Sequence, residues 1–252
     1  MKYEELKNEI RDLGFEDDQI FTEYLSIIQT SITRACRLIA STVKAPTGRI
    51  YLDLTKDLGR TTTPITVGST TTTVVINGTS VTVSQFDMVT YGTTVTSELG
   101  VTSYHESKFY FDGDAWQKVG QYDLDKLSMD SDGNVMFDSI DRIVEDNDVY
   151  TKSYLNYDIV EDHILVIPST VSKKLVVYYN ERIIPITSQT QDDFEIQVVY
   201  PCEPLVALLA AHYVWFDDDE RKAILYWNEY DQLRQEIEAR AFKTKARIVG
   251  GF

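Results

Sequence analysis

The sequence predicts an α+β protein: a discontinuous helical bundle formed by both chain ends, with a large inserted antiparallel β-sandwich-like domain. Near both ends, apolar residues recur every three or four positions, which is typical of amphipathic helices. Between the ends, apolar and polar residues alternate and turn residues are frequent, which is typical of strands. Residues 49–199 also carry −12 of the net charge of −16. The predicted domains are a helical body of residues 1–48 and 200–252, and a β domain of residues 49–199.

The composition is that of a globular protein and narrows the classes of function. The chain has 252 residues, of which 43% are hydrophobic, so it can form a sizeable core without disulfides or metals. Cys36 and Cys202 lie far apart in apolar contexts, which predicts two buried free thiols in a reducing compartment. The polar N-terminus and the lack of an apolar run of roughly 20 residues predict synthesis in the cytoplasm and no membrane contact. The net charge of −16 predicts a surface that repels nucleic acid and anionic lipid.

The N-terminal part predicts two helices. The first ends at Gly14, a residue suited to a C-terminal cap, and its apolar stripe is Tyr3, Leu6, Ile10 and Leu13. The second begins at Asp17 and Asp18, which can cap the free N–H groups, and ends before Pro46. We expect it to be one continuous helix whose buried face consists of Phe21, Leu25, Ile28, Ile32, Ala35 and Ile39.

The middle of the chain predicts antiparallel strands. Asn77-Gly78 lies between two β-branched runs, and both residues tolerate the positive φ of a type I′ hairpin turn. Residues 61–103 contain 15 threonines and only two charged residues, which suits half-exposed sheet better than a mucin-like stalk. A parallel sheet would need crossover helices, and the pattern shows none. Further strands are predicted at residues 50–54, 108–111, 115–119, 163–167 and 174–179.

The C-terminal part predicts a helical hairpin followed by a basic arm. Pro204 suits a first helical turn, and the nearly all-apolar residues 205–216 predict a buried helix. The acidic residues 217–220 cap a second helix, whose stripe is Ala223, Trp227, Tyr230, Leu233 and Ile237. Residues 240–252 contain four basic residues and no acid, which predicts a mobile basic arm.

No motif in the sequence indicates catalysis, a metal or a cofactor. The three histidines lie in different predicted elements without ligands at metal spacing, and no nucleotide-binding or nucleophile-elbow motif occurs. The segment Asp130-Ser131-Asp132-Gly133-Asn134 resembles part of a calcium loop, but Ser128 and Ser139 stand where acids are required, so a β-turn is favoured. The pair Asp123 and Asp125 leaves glycoside hydrolysis open as a weak alternative. The sequence therefore predicts a protein that is not an enzyme.

Two surfaces of the β domain have competing interpretations. One is acidic and is either a solvated face or the lining of a channel for a polyanion; its residues are Asp123, Asp125, Asp130, Asp132, Glu145, Asp146 and Asp148. The other is aromatic and serves either as core or as a platform for sugar rings; its residues are Tyr104, Tyr110, Phe111 and Trp116. The sugar hypothesis would make the chain a carbohydrate-binding or adhesin-like β module.

The two helical ends together resemble the head-to-tail connector proteins of tailed bacteriophages, also called adaptor or neck-ring proteins. The resemblance rests on an acidic N-terminal helix and on the order and residue pattern of four further segments, rather than on a catalytic signature. These are YLSIIQTSITRACRLIA at 24–40, VVYYNERIIPIT at 176–187, LLAAHYVWFDDDERKA at 208–223 and YWNEYDQL at 226–233. The resemblance covers about 100 residues of the helical body and the last strands of the middle domain. The insertion from about residue 50 to 190 is larger than in compact adaptors, and its role stays open.

The resemblance implies a structural protein of the virion neck. Such a protein forms a homo-oligomeric ring of twelve subunits below the portal protein, contacts further neck or tail proteins, and lets DNA pass without specific binding. It also implies that the C-terminal segment docks to the portal, through Arg240, Phe242, Lys243, Lys245, Arg247 and Phe252. A basic arm that becomes ordered on an acidic groove would gain orientation and counter-ion release. The alternative for these residues is a frayed chain end.

Overall fold

The computed structural model has a mixed α+β fold, as the sequence predicts. It describes residues 1–15, 17–65, 73–146 and 151–249, with Thr151 and residues 241–249 described by their backbone only. The described residues form six α-helices and thirteen strands. They divide into two compact units, a helical unit of residues 1–46 and 182–252 and a β unit of residues 47–181. Among the described helices, none combines the length and apolar character that crossing a membrane requires.

Five of the helices belong to the helical unit, and the short α4 belongs to the β unit. The central helix is α5, which is apolar on all sides and packs against α1, α3 and α6. The N-terminal ammonium group pairs with Glu203 at the start of α5 at 3.0 Å. The helices are α1 (Tyr3–Asp12), α2 (Asp18–Glu23), α3 (Leu25–Thr42), α4 (Leu124–Leu127), α5 (Glu203–Trp215) and α6 (Glu220–Val249).

The predicted second helix is wrong in one respect, because the structure has two helices, α2 and α3, in its place. Tyr24 ends α2 and also stands as the N-cap of α3. Its ring packs against Phe15 at a centroid distance of 5.5 Å and against Trp215 at 6.1 Å. The side chain that interrupts the helix is therefore held in a cluster of aromatic rings.

Residues 182–199 belong to the helical unit, although the division of the sequence at residue 200 assigned them to the β domain. Ile183, Ile186 and Ile196 are buried in the same core as the helices. The backbone N–H of Ile186 donates to Thr33 Oγ1 at 2.9 Å, and the N–H of Tyr3 donates to the Phe194 carbonyl at 2.9 Å. The segment is therefore joined to α1 and α3 by backbone hydrogen bonds as well as by apolar packing.

The strands of the β unit form four small sheets. The sheet orders are β1-β13-β9-β10, β11-β12-β8, β2-β5-β6-β7 and β3-β4. The hairpin prediction is confirmed, since Asn77 and Gly78 have φ of 49° and 80° between β3 and β4. The strands are β1 (Thr47–Asp53), β2 (Asp57–Thr61), β3 (Thr73–Ile76), β4 (Thr79–Thr82), β5 (Met88–Thr96), β6 (Thr102–Phe111), β7 (Trp116–Lys118), β8 (Gln121–Asp123), β9 (Phe137–Asp146), β10 (Thr151–Ser153), β11 (Asp158–Val160), β12 (Ile164–Val166) and β13 (Lys174–Glu181).

The expectation of exclusively antiparallel pairing is wrong for one pair. Strand β2 runs parallel to β5, with Asp57 opposite Met88 and Thr61 opposite Tyr91. A parallel pair needs a long connection, which is usually helical. Here residues 62–87 make that connection and contain the β3–β4 hairpin, so a hairpin takes the place of the crossover helix.

Candidate interaction surfaces

The outer face of α3 is basic in an otherwise acidic chain. Its inner face is buried in the helical core, while Ile27, Arg34 and Arg37 are exposed. The Arg34 guanidinium lies over the Tyr213 ring, 4.0 Å from the centroid. Arg37 makes no ion pair within the part of the chain that the structure describes. Since α3 contains no acidic residue, this face presents positive charge beside an exposed isoleucine.

The outer face of α6 exposes large apolar side chains. Asp219 precedes the helix, and its carboxylate accepts from the backbone N–H groups of Arg221 and Lys222 at 3.1 and 3.2 Å. Ile224 and Leu225, on the opposite side from the buried stripe, are each 52% exposed. Exposed apolar clusters of this kind often mark interaction surfaces. The buried stripe of α6 contains Ala223, Tyr226, Tyr230 and Ile237, and the exposed apolar set also includes Phe216 and Trp227.

The predicted basic arm is helical as far as Val249, because α6 continues to that residue. Residues 241–249 are rich in Ala, Lys and Arg and contain no Gly or Pro, so their intrinsic preference favours helix. Arg240 is exposed and lies 3.7 Å from Glu236. The side chains of Phe242, Lys243, Lys245 and Arg247 lie outside the described part of the structure, as does Phe252 altogether. Their predicted docking role stays a prediction.

Three of the predicted acidic residues line one depression of the β unit. Asp123 and Asp125 line a depression together with Asp112, Asp114, Asp130 and Met129 around Lys126. An adjoining cavity of about 420 Å³ is lined by Asp112, Asp123, Lys126 and Glu161, among others. Glu145 and Asp146 lie on β9 in another sheet, where Glu145 pairs with Lys173 at 2.6 Å. Asp148 lies outside the described residues.

Several of these carboxylates are engaged by hydrogen bonds within the turns that hold them. Asp123 caps α4 by accepting from the Lys126 N–H at 3.1 Å. Asp130 Oδ1 accepts from the N–H groups of Asp132 and Asn134 at 2.9 and 2.8 Å. Hydrogen bonds to the Asp130 carboxylate, first of all from the Asn134 side chain, lower the pKa of Asp130. This geometry is that of the β-turn that the sequence favours over a calcium loop.

Asp112 is the buried centre of this region, and its sequence context, Asp112-Gly113-Asp114, indicates only a β-turn. Its side chain is 1% exposed. Oδ1 accepts from the backbone N–H groups of Asp114 and Ala115 at 2.9 and 2.8 Å, and Oδ2 accepts from Gln117 Nε2 at 3.1 Å and Lys126 Nζ at 2.6 Å. Burial alone would raise the pKa of Asp112, but the hydrogen bonds from Lys126 and from the turn outweigh it, so the pKa is lowered. The sequence indicates the turn at Gly113, but it does not indicate that Asp112 pairs with the distant Lys126.

The aromatic platform for sugars is not formed as the sequence hypothesis required. Tyr110, Phe111 and Trp116 are 3%, 3% and 2% exposed and belong to the cores of the β unit. Of these four residues only Tyr104 is exposed, and its ring lies against Gly92 on the neighbouring strand. A Cβ added to Gly92 would lie only 1.9 Å from the Tyr104 hydroxyl oxygen. These residues therefore offer one aromatic ring, not a stacking surface.

Both cysteines lie in the interior of the protein, and we searched the described residues for clustered metal ligands. Cys36 and Cys202 are both free and buried, as predicted, and burial raises the pKa of Cys36 to about 12. In the described ranges, no group of three or more His, Cys, Asp or Glu residues is placed to hold a metal ion.

Comparison with protein-family models gives no match for this chain, and comparison with curated protein sequences gives none either.

Proposed function

We propose that this protein is a structural connector of a tailed-bacteriophage virion, and that it forms a ring below the portal which joins the capsid to the tail. The proposal starts from the resemblance of the helical segments. The observation that carries it furthest is that the sequence-distant chain ends share one helical unit, which exposes apolar side chains on α6 and a basic face on α3. In this proposal the helical unit is the discontinuous bundle of the connector body, and the β unit is its sandwich-like insertion.

The outer helices would supply the contacts between neighbouring subunits. The two faces differ, since α3 presents Arg34 and Arg37 while α6 presents Ile224, Leu225 and Glu229. Two different faces favour a heterologous, head-to-tail contact, and such contacts close into rings when the rotation between copies allows it. Burial of the exposed apolar residues would contribute roughly 25 cal/mol for each Å² removed from water.

The end of α6 would dock to the portal protein. Residues 241–249 carry Lys243, Lys245 and Arg247 without any acid, so this segment favours an acidic groove on a partner. Because an α-helix rises about 1.5 Å per residue, this part of α6 can reach about 14 Å further along its axis.

DNA would pass through the ring without specific binding. The net charge of −16 and the acidic β unit repel phosphate at short range, so a lumen bordered by this chain would not hold the polymer. We propose no enzymatic activity and no cofactor, and we place the protein in the virion neck after synthesis in the host cytoplasm.

The test is co-sedimentation of the purified chain with the portal protein. The full chain should bind, and a chain ending at Ala239 should not. A triple variant with Lys243, Lys245 and Arg247 changed to Gln should bind at least about tenfold more weakly, a loss of about 1.4 kcal/mol. The matched control changes three exposed lysines of the β unit, Lys56, Lys118 and Lys152, to Gln, and should bind as the wild type does.

Each outcome has a distinct meaning. Binding that survives truncation at Ala239 would keep the connector and move the contact to α3 or to the earlier part of α6. Binding that falls equally in the triple variant and in its control would point to general charge rather than docking. A wild-type chain that does not bind the portal protein would contradict the proposed function.

A further inference from the structure

The distal half of the β5–β6 hairpin is exposed on both of its faces. Every residue from 94 to 106 is exposed, and we call this segment the ribbon. Four of its apolar or aromatic side chains face solvent, with exposures of 91% for Leu99, 64% for Val101, 56% for Tyr104 and 49% for Val95. A two-stranded hairpin without a covering layer is marginally stable in water. The ribbon is therefore a candidate for a surface that another element covers.

The ribbon is nevertheless a regular structure. Its strands stay in register from Thr93 opposite His105 to Thr96 opposite Thr102, and the hydroxyls of the latter pair are 3.2 Å apart. The turn is closed by the Ser97 N–H, which donates to the Val101 carbonyl at 2.9 Å. Cross-strand pairs and a defined turn hold the ribbon in the extended form that strand pairing requires.

Both edges of the ribbon lack a neighbouring strand in the described part of the chain. Strand β2 pairs with β5 only as far as Tyr91, and β7 pairs with β6 only from Phe109 onward. Natural proteins protect open edges with lysine, proline, bulges or covering elements. Residues 88–105 contain no Lys, Arg or Pro, and Glu98 is their only charged residue. The edges of the ribbon are therefore open and chemically unprotected.

The open edges and the charge of the ribbon favour one kind of binding partner over the others. A lipid bilayer is disfavoured, because open strand edges do not occur in hydrocarbon. A polyanion is disfavoured, because the segment has no basic residue. A second copy of the chain fits best: copies that each carry a net charge of −16 repel one another. The ribbon carries only Glu98 and Glu106, and Glu106 pairs with Arg60 at 3.1 Å, so it is a weakly charged surface through which the copies can approach.

We propose that the ribbons of neighbouring copies pair edge to edge, with β5 of one copy against β6 of the next. The two edges of one ribbon lie on opposite sides and differ in sequence, so this pairing is head-to-tail and continues from copy to copy. In a closed ring every ribbon edge would be paired, which removes the open edges altogether. The proposal rests on self-assembly as in the proposed function and adds a contact made by the β unit, separate from portal docking.

The experiment measures self-association of the full chain by sedimentation velocity over a range of concentrations. One variant replaces residues 94–104 with Asn-Gly, and a second carries Val95→Lys and Val101→Lys, which place like charges on the same face of every ribbon. Both should require at least about tenfold higher concentration to associate than the wild type, a loss of about 1.4 kcal/mol. The matched control is Val75→Lys, because Val75 is 44% exposed in the other hairpin; it should associate as the wild type does.

Hydrogen exchange supplies a second measurement that does not depend on folding of a variant. In the wild type, backbone amides of residues 92–107 should become protected as concentration rises, while those of the β3–β4 hairpin should not. The proposal is overturned if the wild type stays monomeric, if the ribbon amides exchange equally at all concentrations, or if both ribbon variants associate normally. Ribbon variants that associate normally and bind the portal protein would refute the ribbon contact alone. A wild type that neither associates nor binds the portal protein would refute both proposals.

Discussion

The helical unit and the β unit are stabilised by interactions of different range along the sequence. In the helical unit, α5 packs against helices from the other end of the chain, and Lys222 Nζ donates to the Gly14 carbonyl at 3.1 Å. In the β unit, the carboxylates of Asp57, Asp112 and Asp130 accept from backbone N–H groups two to four residues away. Of the described residues with positive φ, Gly14 alone lies outside the β unit.

This difference shows where each unit gets its specificity. The helical unit depends on apolar packing between segments that are far apart, so it cannot be complete until the last part of the chain is present. The β unit depends on turns whose conformations are set by residues at the turn itself. Changes to buried apolar side chains should therefore affect the helical unit most, and changes to turns should affect the β unit in small, separate amounts.

The largest expected effect is in the core of the helical unit. Leu209 in α5 is fully buried, so Leu209→Ala should lower the free energy of unfolding by about 3–5 kcal/mol, through lost burial and the cavity that remains. Urea unfolding followed by the circular dichroism of the helices measures it. The control is Leu155→Ala, since Leu155 is 83% exposed and its truncation should cost less than about 0.5 kcal/mol.

A loss below about 1 kcal/mol for Leu209→Ala would contradict the difference between the units, because it would mean that α5 is not tightly enclosed. The loss could instead have the predicted size while the β unit still unfolds at its wild-type urea concentration. That result would strengthen the comparison, because it would show that the two units unfold separately.

The comparison also explains which features the sequence could predict. The Asn77-Gly78 turn and the buried α5 follow from local chemistry, namely positive φ at two adjacent residues and an apolar run behind Pro204. The break at Tyr24 is not visible in the sequence, and one contact of its ring, with Trp215, is made with a residue nearly two hundred positions away. The parallel β2–β5 pair likewise depends on tertiary structure, because the β3–β4 hairpin separates the two strands in the sequence.

The candidate surfaces also divide into features that the sequence can predict and features that depend on tertiary structure. The basic face of α3 and the exposed residues of α6 lie on helices whose periodicity the sequence shows. The pairing of Asp112 with Lys126 depends on tertiary structure, and so does the open state of the ribbon edges, because both depend on which strands end where.

The second expected effect tests a polar interaction in the β unit. Asp112→Asn should lower the free energy of unfolding by about 2–3 kcal/mol, because the amide cannot accept at both positions and leaves buried donors unpaired. The measurement is urea unfolding followed by tryptophan fluorescence, to which Trp116 contributes from the β unit and Trp215 and Trp227 contribute from the helical unit. The control is Asp114→Asn, since the Asp114 side chain is 80% exposed and lies 3.9 Å from Lys126, and it should change stability by less than about 1 kcal/mol.

The stability difference between the wild type and Asp112→Asn should depend on pH in a defined direction. The pKa of Asp112 is lower in the folded state than the value of about 3.9 expected for an unfolded chain. Its contribution to stability is therefore fully present above about pH 4 and is lost as the pH falls through the folded-state pKa. The stability difference between the wild type and Asp112→Asn should shrink below about pH 4, and a difference that grows there would contradict this assignment.

The smallest expected effect concerns the turn between β3 and β4. Gly78 has φ of 80°, and an added Cβ would meet no atom within 4 Å, so Gly78→Ala tests backbone conformation without a steric clash. Holding alanine in the left-handed region costs roughly 1–2 kcal/mol, and urea unfolding of the β unit should show a loss of about 1 kcal/mol. Asn77→Gly is the control, because glycine also adopts the φ of 49° found there, and it should change stability by less than about 0.5 kcal/mol. Equal effects of the two substitutions would mean that the turn is not held in its left-handed conformation, and that the β unit does not depend on its turns as the comparison with the helical unit requires.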